Sequence, residues 1–597
     1  MFRIRTAVLL GTLLLLFLKP TSAAQTRDLP QVLIINQVRG EECCGTGSLD
    51  FLRMQTEALV NNGIPGYFAL RYDALQNQEY VAYLKEISNK NPQIINLGLL
   101  LEVTPSLAKE AGVSYSAPED AWYEAQHVYS IGYSNDENKK MMDLIFKTFH
   151  DEFGYYPEIT SSWMIKTDTL TYIHNSYGVI VHQITKEQFG TDSYTLYGGP
   201  AHYPYPASQK WAFIPDFNDQ SAPVIVRQTV TDPLFNYGNL SAYTSQPNDY
   251  AADGKSFAYF KDLVNQALFE QPQQGFALLG LETSMDKKHQ QEFINQIKYI
   301  GELHKNKKIT LPDASTIKTY WNKKPYTVYQ GSEIIHNTKD SAYWIDTPSY
   351  RFRLKISKNN VYITDIRYFD PEYMDPYQSK AAQRDGFWIV PYILDASESE
   401  TKNEKIAFKR INDTDDLETY IQLPKIKDNV KPIIKINPNN ISFSYIDSSQ
   451  KNRTITFLKD EISFPFFTAN EIIPYNNRSS TYPIRLSKEK NGFSFSWKNG
   501  DVVFLSILNE CTNEECNMTF ASDPSQLEEA RNTDYAYLFP EPSYRTLSPK
   551  NTDIYLNNQF AVANRNPSRL VIDPRDEYGI KTNLPIKEIH ITTNKDL

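Results

Sequence analysis

Cysteine is scarce: the 597 residues hold four, the vicinal pair Cys43-Cys44 and the pair Cys511 and Cys516. A disulfide framework is therefore excluded as the source of the fold, and two local bridges are the most that can form. In an oxidising compartment Cys511 and Cys516, separated by Thr-Asn-Glu-Glu, are expected to close a small loop, whereas Cys43-Cys44 needs an unusual vicinal bridge or partners elsewhere and is left open. Histidine is thin as well. The nine, at 127, 150, 174, 182, 202, 289, 304, 336 and 590, show no His-x-x-x-His that one helix face could present, and no two-plus-two cysteine pattern stands beside them. No metal site and no cofactor are expected. Basic charge is short too, with 61 Lys and Arg against 71 Asp and Glu and a net charge of −10, and no basic stripe suited to a phosphate backbone; nucleic acid is not an expected partner.

Long hydrophobic runs are absent except for one, from Ala7 to Leu18. It follows Arg3 and Arg5 and precedes Lys19-Pro20 and the small residues Thr21-Ser22-Ala23-Ala24, the pattern of a secretory signal cleaved after Ala23 or Ala24. About 12 residues at 1.5 Å rise reach roughly 18 Å, short of a hydrocarbon core of about 30 Å. The chain is expected to be secreted or periplasmic, with possible association with the cell envelope. About 573 residues would remain, more than one core accommodates, so two or more domains are expected. Aromatics are plentiful, 40 Tyr and 31 Phe beside 7 Trp; aromatic surfaces or packed sheets account for them equally.

From residue 31 to about 304, short apolar runs alternate with helical periodicity, which implies β-α units around a parallel sheet. The expected strands are Val32–Asn36, Gly66–Arg71, Ile94–Glu102, Ile159–Ile165, Val179–Gln183, Val224–Val226 and Phe276–Glu282. Ser134-Asn-Asp-Glu137 is a capping box ahead of Met141, Ile145, Phe149 and Phe153 on one helix face. A last helix from about Asp286 to His304 buries Phe293, Ile297, Ile300 and Leu303, and a boundary is expected near 305–325. Beyond it the period becomes two. Tyr350, Phe352, Leu354 and Ile356 alternate with Arg351, Arg353 and Lys355 as a half-buried strand that turns at Lys358-Asn-Asn360. Asn499-Gly500 predicts a hairpin between Phe493–Trp497 and Val502–Leu508. The organisation is thus a signal peptide at 1–24, an α/β barrel at 25–310 and a β-sandwich region of one or two modules at 325–597.

In barrels of parallel strands, chemistry gathers at the C-terminal strand ends. There the sequence places Arg39, Asp73, Glu102, Asp168 and Glu282. A carboxylate closing an apolar run, as Glu102 does, must be paired or functional, because burying it alone is costly. Two facing carboxylates are what glycoside hydrolysis requires, and Glu102 with Asp168, or with Glu282 in its place, are the candidates. The alternative, Glu102 and Glu282 as buried partners of Arg39 or Arg71, carries equal weight. A long Gly-, Pro- and Tyr-rich loop from Phe189 to Trp211 is expected to wall the site, with Asp192, Tyr194, His202 and Tyr205 contacting a sugar, or to pack its own aromatics over the barrel mouth.

The order of elements in residues 31–305 resembles the glycoside hydrolase/deacetylase superfamily, about half the chain. Gly63-Ile-Pro-Gly-Tyr-Phe-Ala-Leu70 looks like its second strand, Phe153-Gly-Tyr-Tyr-Pro157 through Ser162-Trp163 like a later barrel segment, and Gly275–Glu282 like its closing unit. The resemblance implies a distorted seven-stranded (β/α) barrel and a polysaccharide or glycan as substrate, with Trp163 among the residues contacting it. The chain departs from the deacetylase pattern: Asn36-Gln37 stands where those enzymes carry an Asp-Asp pair, and Glu102-Val-Thr-Pro-Ser106 where they carry His-x-x-x-His. What remains is closer to the glycosidases of the superfamily. An exported glycoside hydrolase is the leading expectation; a divergent polysaccharide deacetylase and a non-catalytic glycan-binding or envelope-assembly protein are the alternatives.

Overall fold

The computed structural model describes residues 28–395 apart from 43–48, 119–120, 192–193, 235–236, 239–242, 337, 339, 358–359, 370, 372, 380, 383–385 and 391, and beyond 395 the backbone of separate strands. Cys43, Cys44, Asp192, Cys511, Cys516 and the N-terminal segment lie outside the described residues. No described helix is long and apolar enough to cross a membrane.

Seven parallel strands make the first sheet: β1 (Gln31–Val38), β2 (Gly66–Leu70), β3 (Ile95–Leu100), β4 (Ile159–Ser161), β5 (Val181–Ile184), β6 (Val224–Arg227) and β7 (Phe276–Leu279). They are the seven expected runs: β2, β3, β4 and β7 are shorter than expected, β1 and β6 longer, and β5 shifted toward its C-terminal end. Their order is β7-β1-β2-β3-β4-β5-β6, every neighbour parallel, with the last strand in sequence beside the first. Tyr205–Pro206 pairs antiparallel on the outer edge of β6, so the sheet is a curled, open half-barrel of eight strands. All eight residues of β1 are buried, as strands covered on both faces must be.

The helices follow their local signals. Ser134 and Glu137 form the reciprocal capping box of helix Asn135–Phe153, which buries Met141, Ile145 and Phe149 and ends at Gly154 in the left-handed region (φ 80°). Helix Lys287–Lys305 starts at Asp286, whose side chain accepts the His289 N–H, and buries Phe293, Ile297, Ile300 and Leu303. Where β7 leaves the sheet, a Cβ on Gly280 would sit 1.8 Å from the Ile35 carbonyl oxygen. Gly280→Ala is therefore expected to push β7 off β1 and cost about 1–3 kcal/mol or more, read as a lower denaturant midpoint.

The core does not stop at the expected boundary. Trp321, Tyr329, Trp344 and Trp388 pack in the same cluster as the barrel interior, and the Trp321 indole donates to Gln31 Oε1 at 2.9 Å. Strands Thr327–Ser332, Ser341–Asp346, Tyr350–Ser357 and Asn360–Tyr368 form an antiparallel meander, the last two in register out to Ser357 and Asn360. Alternation along Tyr350–Ser357 predicted one wet face, yet both faces are covered where the structure describes them: Tyr350, Phe352, Arg351 and Arg353 are all buried. The arginine face lies on the barrel. Arg351 grips Glu187 with both terminal nitrogens, binds Asp365 at 2.7 Å and donates to the Gly199 carbonyl, while Arg353 donates to the carbonyls of Pro233 and Leu234. Beside them Asp346 is buried with no partner for Oδ1 among the described residues, and burial first, against the pull of Arg351, pushes its carboxyl up to about 7. Its folded value lies above its unfolded one, so the native state is favoured below the ordinary Asp range and loses that contribution as pH rises toward 7. Asp346→Asn should raise the unfolding temperature at about pH 8 and leave it unchanged at about pH 4, checked by thermal melts across pH.

Eight of the strands between Lys405 and Ser496 pair in one antiparallel sheet, Ile472–Pro474 excepted. The turn expected at Asn499-Gly500 lies outside the described residues, and the strands described on its two sides do not pair with each other. Both edges of Gly492–Ser496 are already occupied, by Glu461–Phe464 and Arg485–Glu489, and Leu505–Ile507 pairs instead with Ile472–Pro474.

Candidate functional site

The C-terminal ends of β1, β2, β3 and β7 deliver Arg39, Arg71, Asp73, Glu102 and Glu282 to one place. Arg39 lies at the hub. Its Nε reaches Glu102 Oε2 at 2.9 Å and its Nη2 reaches Glu102 Oε1 at 2.6 Å, a fork-on-fork pair, while Nη1 donates to Glu282 Oε2. Arg71 adds a contact to Glu102 Oε2 at 3.2 Å and clamps Asp73 through Nε and Nη2 at 2.8 and 2.7 Å. Asp73 in turn accepts the backbone N–H groups of Gly40, Glu42 and Ala74 and shapes the turn after β1.

The two glutamates thereby acquire opposite characters. Glu102 is wholly enclosed, which by itself would raise its proton affinity, but the guanidinium of Arg39 and then that of Arg71 more than reverse this and hold it below the ordinary range. Both of its oxygens are engaged. Glu282 is pushed up: burial dominates, Arg39 opposes it only in part, and the negative charge of Glu102 adds to the rise. Its Oε2 takes Arg39 and Ser284 Oγ, leaving Oε1 open.

Glu282 and Arg39 open onto a cavity of about 200 Å³. Aromatic walls come from Trp122, Trp163, Tyr129 and Tyr194, the last two meeting edge to face at 5.5 Å. The Arg39 guanidinium lies 5.8 and 5.7 Å from the ring centres of Trp122 and Trp163. The remaining wall is polar, with Gln188, Gln228, Gln246 and Asn248 beside the pair of Lys186 and Asp249, 3.4 Å apart. Among the described residues no three His, Cys, Asp or Glu side chains cluster as metal ligands. Apolar ring faces beside amides and charged groups suit a ligand with an apolar face and hydroxyl edges.

Of the expected residues, the structure brings Arg39, Glu102, Glu282, Trp163 and Tyr194 to this cavity. Asp73 stands behind it, locked to Arg71. Asp168 is not near Glu102: it opens helix Thr167–Tyr177, accepts the Asn135 amide at 2.7 Å and lines a separate cavity of about 290 Å³ with Lys139 and Tyr172. His202 is half-buried at the junction with the second sheet, stacked on Tyr329 at 4.0 Å, and Tyr205 is buried in the short edge strand, its hydroxyl directed at the Ala212 and Phe213 carbonyls. That part of the loop packs on itself, as the second of the two expectations had it. Missed in the sequence were Trp122, Tyr129, Lys186 and Asp249. Asp249 lies in Ser245-Gln-Pro-Asn-Asp249, a loop signature readable beforehand, whereas nothing in sequence marks Trp122 or Tyr129 as facing β7.

No family model matches the chain, and neither does any curated protein. Solved structures do. A protein of Parabacteroides distasonis named as a glycoside hydrolase/deacetylase is similar at 14% identity and a TM-score of 0.45, over 62% of this chain and 91% of that one. A protein of Pseudomonas aeruginosa PAO1 named as a polysaccharide deacetylase is similar at 10% identity and a TM-score of 0.30, over 49% of this chain and 91% of that one. A branching enzyme of Thermococcus kodakaraensis is similar at 9% identity and a TM-score of 0.25, over 49% of this chain and 71% of that one.

Proposed function

We propose that the chain is an exported carbohydrate-active hydrolase that cleaves a glycosidic bond in a polysaccharide or glycan. The observation that carries this reading is Glu282: a carboxyl at a strand end, held above its ordinary proton affinity, with one oxygen open to an aromatic-lined cavity. Such a group is protonated where an ordinary carboxyl is not, and so is suited to giving a proton to a leaving oxygen. Arg39 is bound on its far side by Glu102, so it holds Glu282 in position without abolishing its acidity. Glu102, with both oxygens occupied, serves as the anchor of Arg39 rather than as an attacking group. To the same reading belong removal of 1–24 as a signal, a β-sandwich arrangement within 325–597, and work outside the cytosol without a nucleic-acid partner.

The test is turnover of a broad glycan panel by the protein lacking residues 1–24, with and without chelator, following new reducing ends and released acetate. Chelator-resistant release of reducing ends is the expected result. Chelator-sensitive acetate release would replace the reading with a deacetylase, and binding without either product would replace it with a glycan-binding protein.

A further inference from the structure

A hydrolytic site of this kind needs a second carboxylate, and neither Glu102, fully engaged, nor Asp168, in another cavity, is placed to be it. We infer that Asp249 is the second carboxylate, carried with Gln246 and Asn248 on one rigid segment that also reads the hydroxyls of a neutral sugar; this rests on the hydrolase reading above. The segment is pinned from two sides. Ser245 N–H donates to the Val230 carbonyl at 2.8 Å and Asp232 N–H to the Tyr243 carbonyl at 2.9 Å, fixing it to the chain leaving β6. From the other side Gln296 of helix Lys287–Lys305 donates to the Ser245 carbonyl at 2.8 Å, and the Tyr250 hydroxyl reaches Glu292 at 2.7 Å. Helix Lys287–Lys305 begins just after Glu282, so one element positions both carboxyls.

Asp249 lines the cavity with Glu282, and Lys186 stands between them in charge terms: its ammonium is 3.4 Å from Asp249 Oδ2 and acts on Glu282 as well. Thr244 Oγ1 donates to the same Asp249 oxygen at 2.7 Å. A cation and a hydroxyl on one oxygen hold the carboxyl group in place at the cavity wall. Gln246 is 2% exposed and its Oε1, like Asn248 Oδ1, has no hydrogen-bond partner among the described residues, although both residues line the cavity. Buried amide oxygens left unpaired are costly, and sugar hydroxyls are donors of the right kind to satisfy them. In the reaction, Glu282 gives its proton to the glycosidic oxygen as the bond from that oxygen to the anomeric carbon breaks. Water's oxygen forms the new bond to that carbon, and Asp249 takes water's proton, which returns to Glu282 through solvent.

The experiment compares Asp249→Asn, Asp249→Ala and Glu282→Gln on a cleaved glycan and on dinitrophenyl glycosides of the same sugar, whose leaving group needs no proton. Glu282→Gln should lose turnover of the glycan but retain most of it on the dinitrophenyl glycoside, whereas Asp249→Asn should lose at least about 100-fold on both. Sodium azide, which attacks without a base, should restore dinitrophenol release by Asp249→Ala and yield a glycosyl azide. Asp249→Asn active on both substrates beside an inactive-on-glycan Glu282→Gln would overturn the role of Asp249 and leave the hydrolase reading standing. Failure of azide to rescue a folded Asp249→Ala would likewise overturn it. A wild-type protein inactive on every glycan would remove the hydrolase reading and this inference with it.

Discussion

Arg39→Met should be the most destabilising single change at the site, lowering folding stability by about 3–5 kcal/mol. The arginine is the shared counter-ion of two buried carboxyls, and methionine of similar length would fill the space between Trp122 and Trp163 while leaving Glu282 without its bonded cation, Lys186 acting on it only through space, and Glu102 with Arg71 alone. The loss comes from the charges left behind rather than from the pair itself, since forming a buried ion pair costs nearly as much desolvation as it returns in attraction. The sign with pH follows from Glu102. Its folded value is depressed, so its contribution is fully present above the unfolded carboxyl value of about 4.3 and disappears as pH falls through the lower folded value. The gap between wild type and Arg39→Met should therefore narrow on acidification below about pH 4, which denaturant midpoints at several pH values would show. A gap of constant size would mean that Arg39 acts by packing and not by charge.

Glu282→Gln should reduce kcat on a natural glycan by about 10²–10⁴-fold with little change in stability. Glutamine keeps an oxygen for Arg39 and Ser284 and removes a carboxyl whose ionisation burial already opposes, so the fold has no reason to suffer. The acid is competent only while protonated. Because its folded value is raised, the alkaline limb of the wild-type kcat profile should lie above the ordinary carboxylate range, and it should vanish from the residual activity of the variant. A profile with its limb at the ordinary value, or a variant with wild-type kcat, would assign the acid elsewhere.

How much was legible beforehand differs by level. The seven strands were readable because a strand buried on both faces is an unbroken apolar run, and the two long helices because caps and stripes are local. The arginine face of Tyr350–Ser357 misled: charged residues at alternate positions normally mark solvent, and here they mark a buried junction whose partners Glu187 and Asp365 come from separate segments. The pairing expected between Phe493–Trp497 and Val502–Leu508 misled for a related reason, since turn propensity says nothing of whether a strand's edges are already taken.

At the site, the sequence by itself determined that Arg39, Glu102 and Glu282 sit at strand ends, because strand polarity and an apolar run closed by a charge are properties of the local chain. It left equally open whether the glutamates were partners of arginine or a working pair. Only the tertiary structure decided that one glutamate is locked and the other open, that Asp168 belongs to another cavity, and that Lys186 and Asp249 face Glu282. Those outcomes depend on which loops the curled sheet brings together from residues far apart in sequence, and proton affinity is set by those neighbours and by burial, neither of which is written at the residue itself.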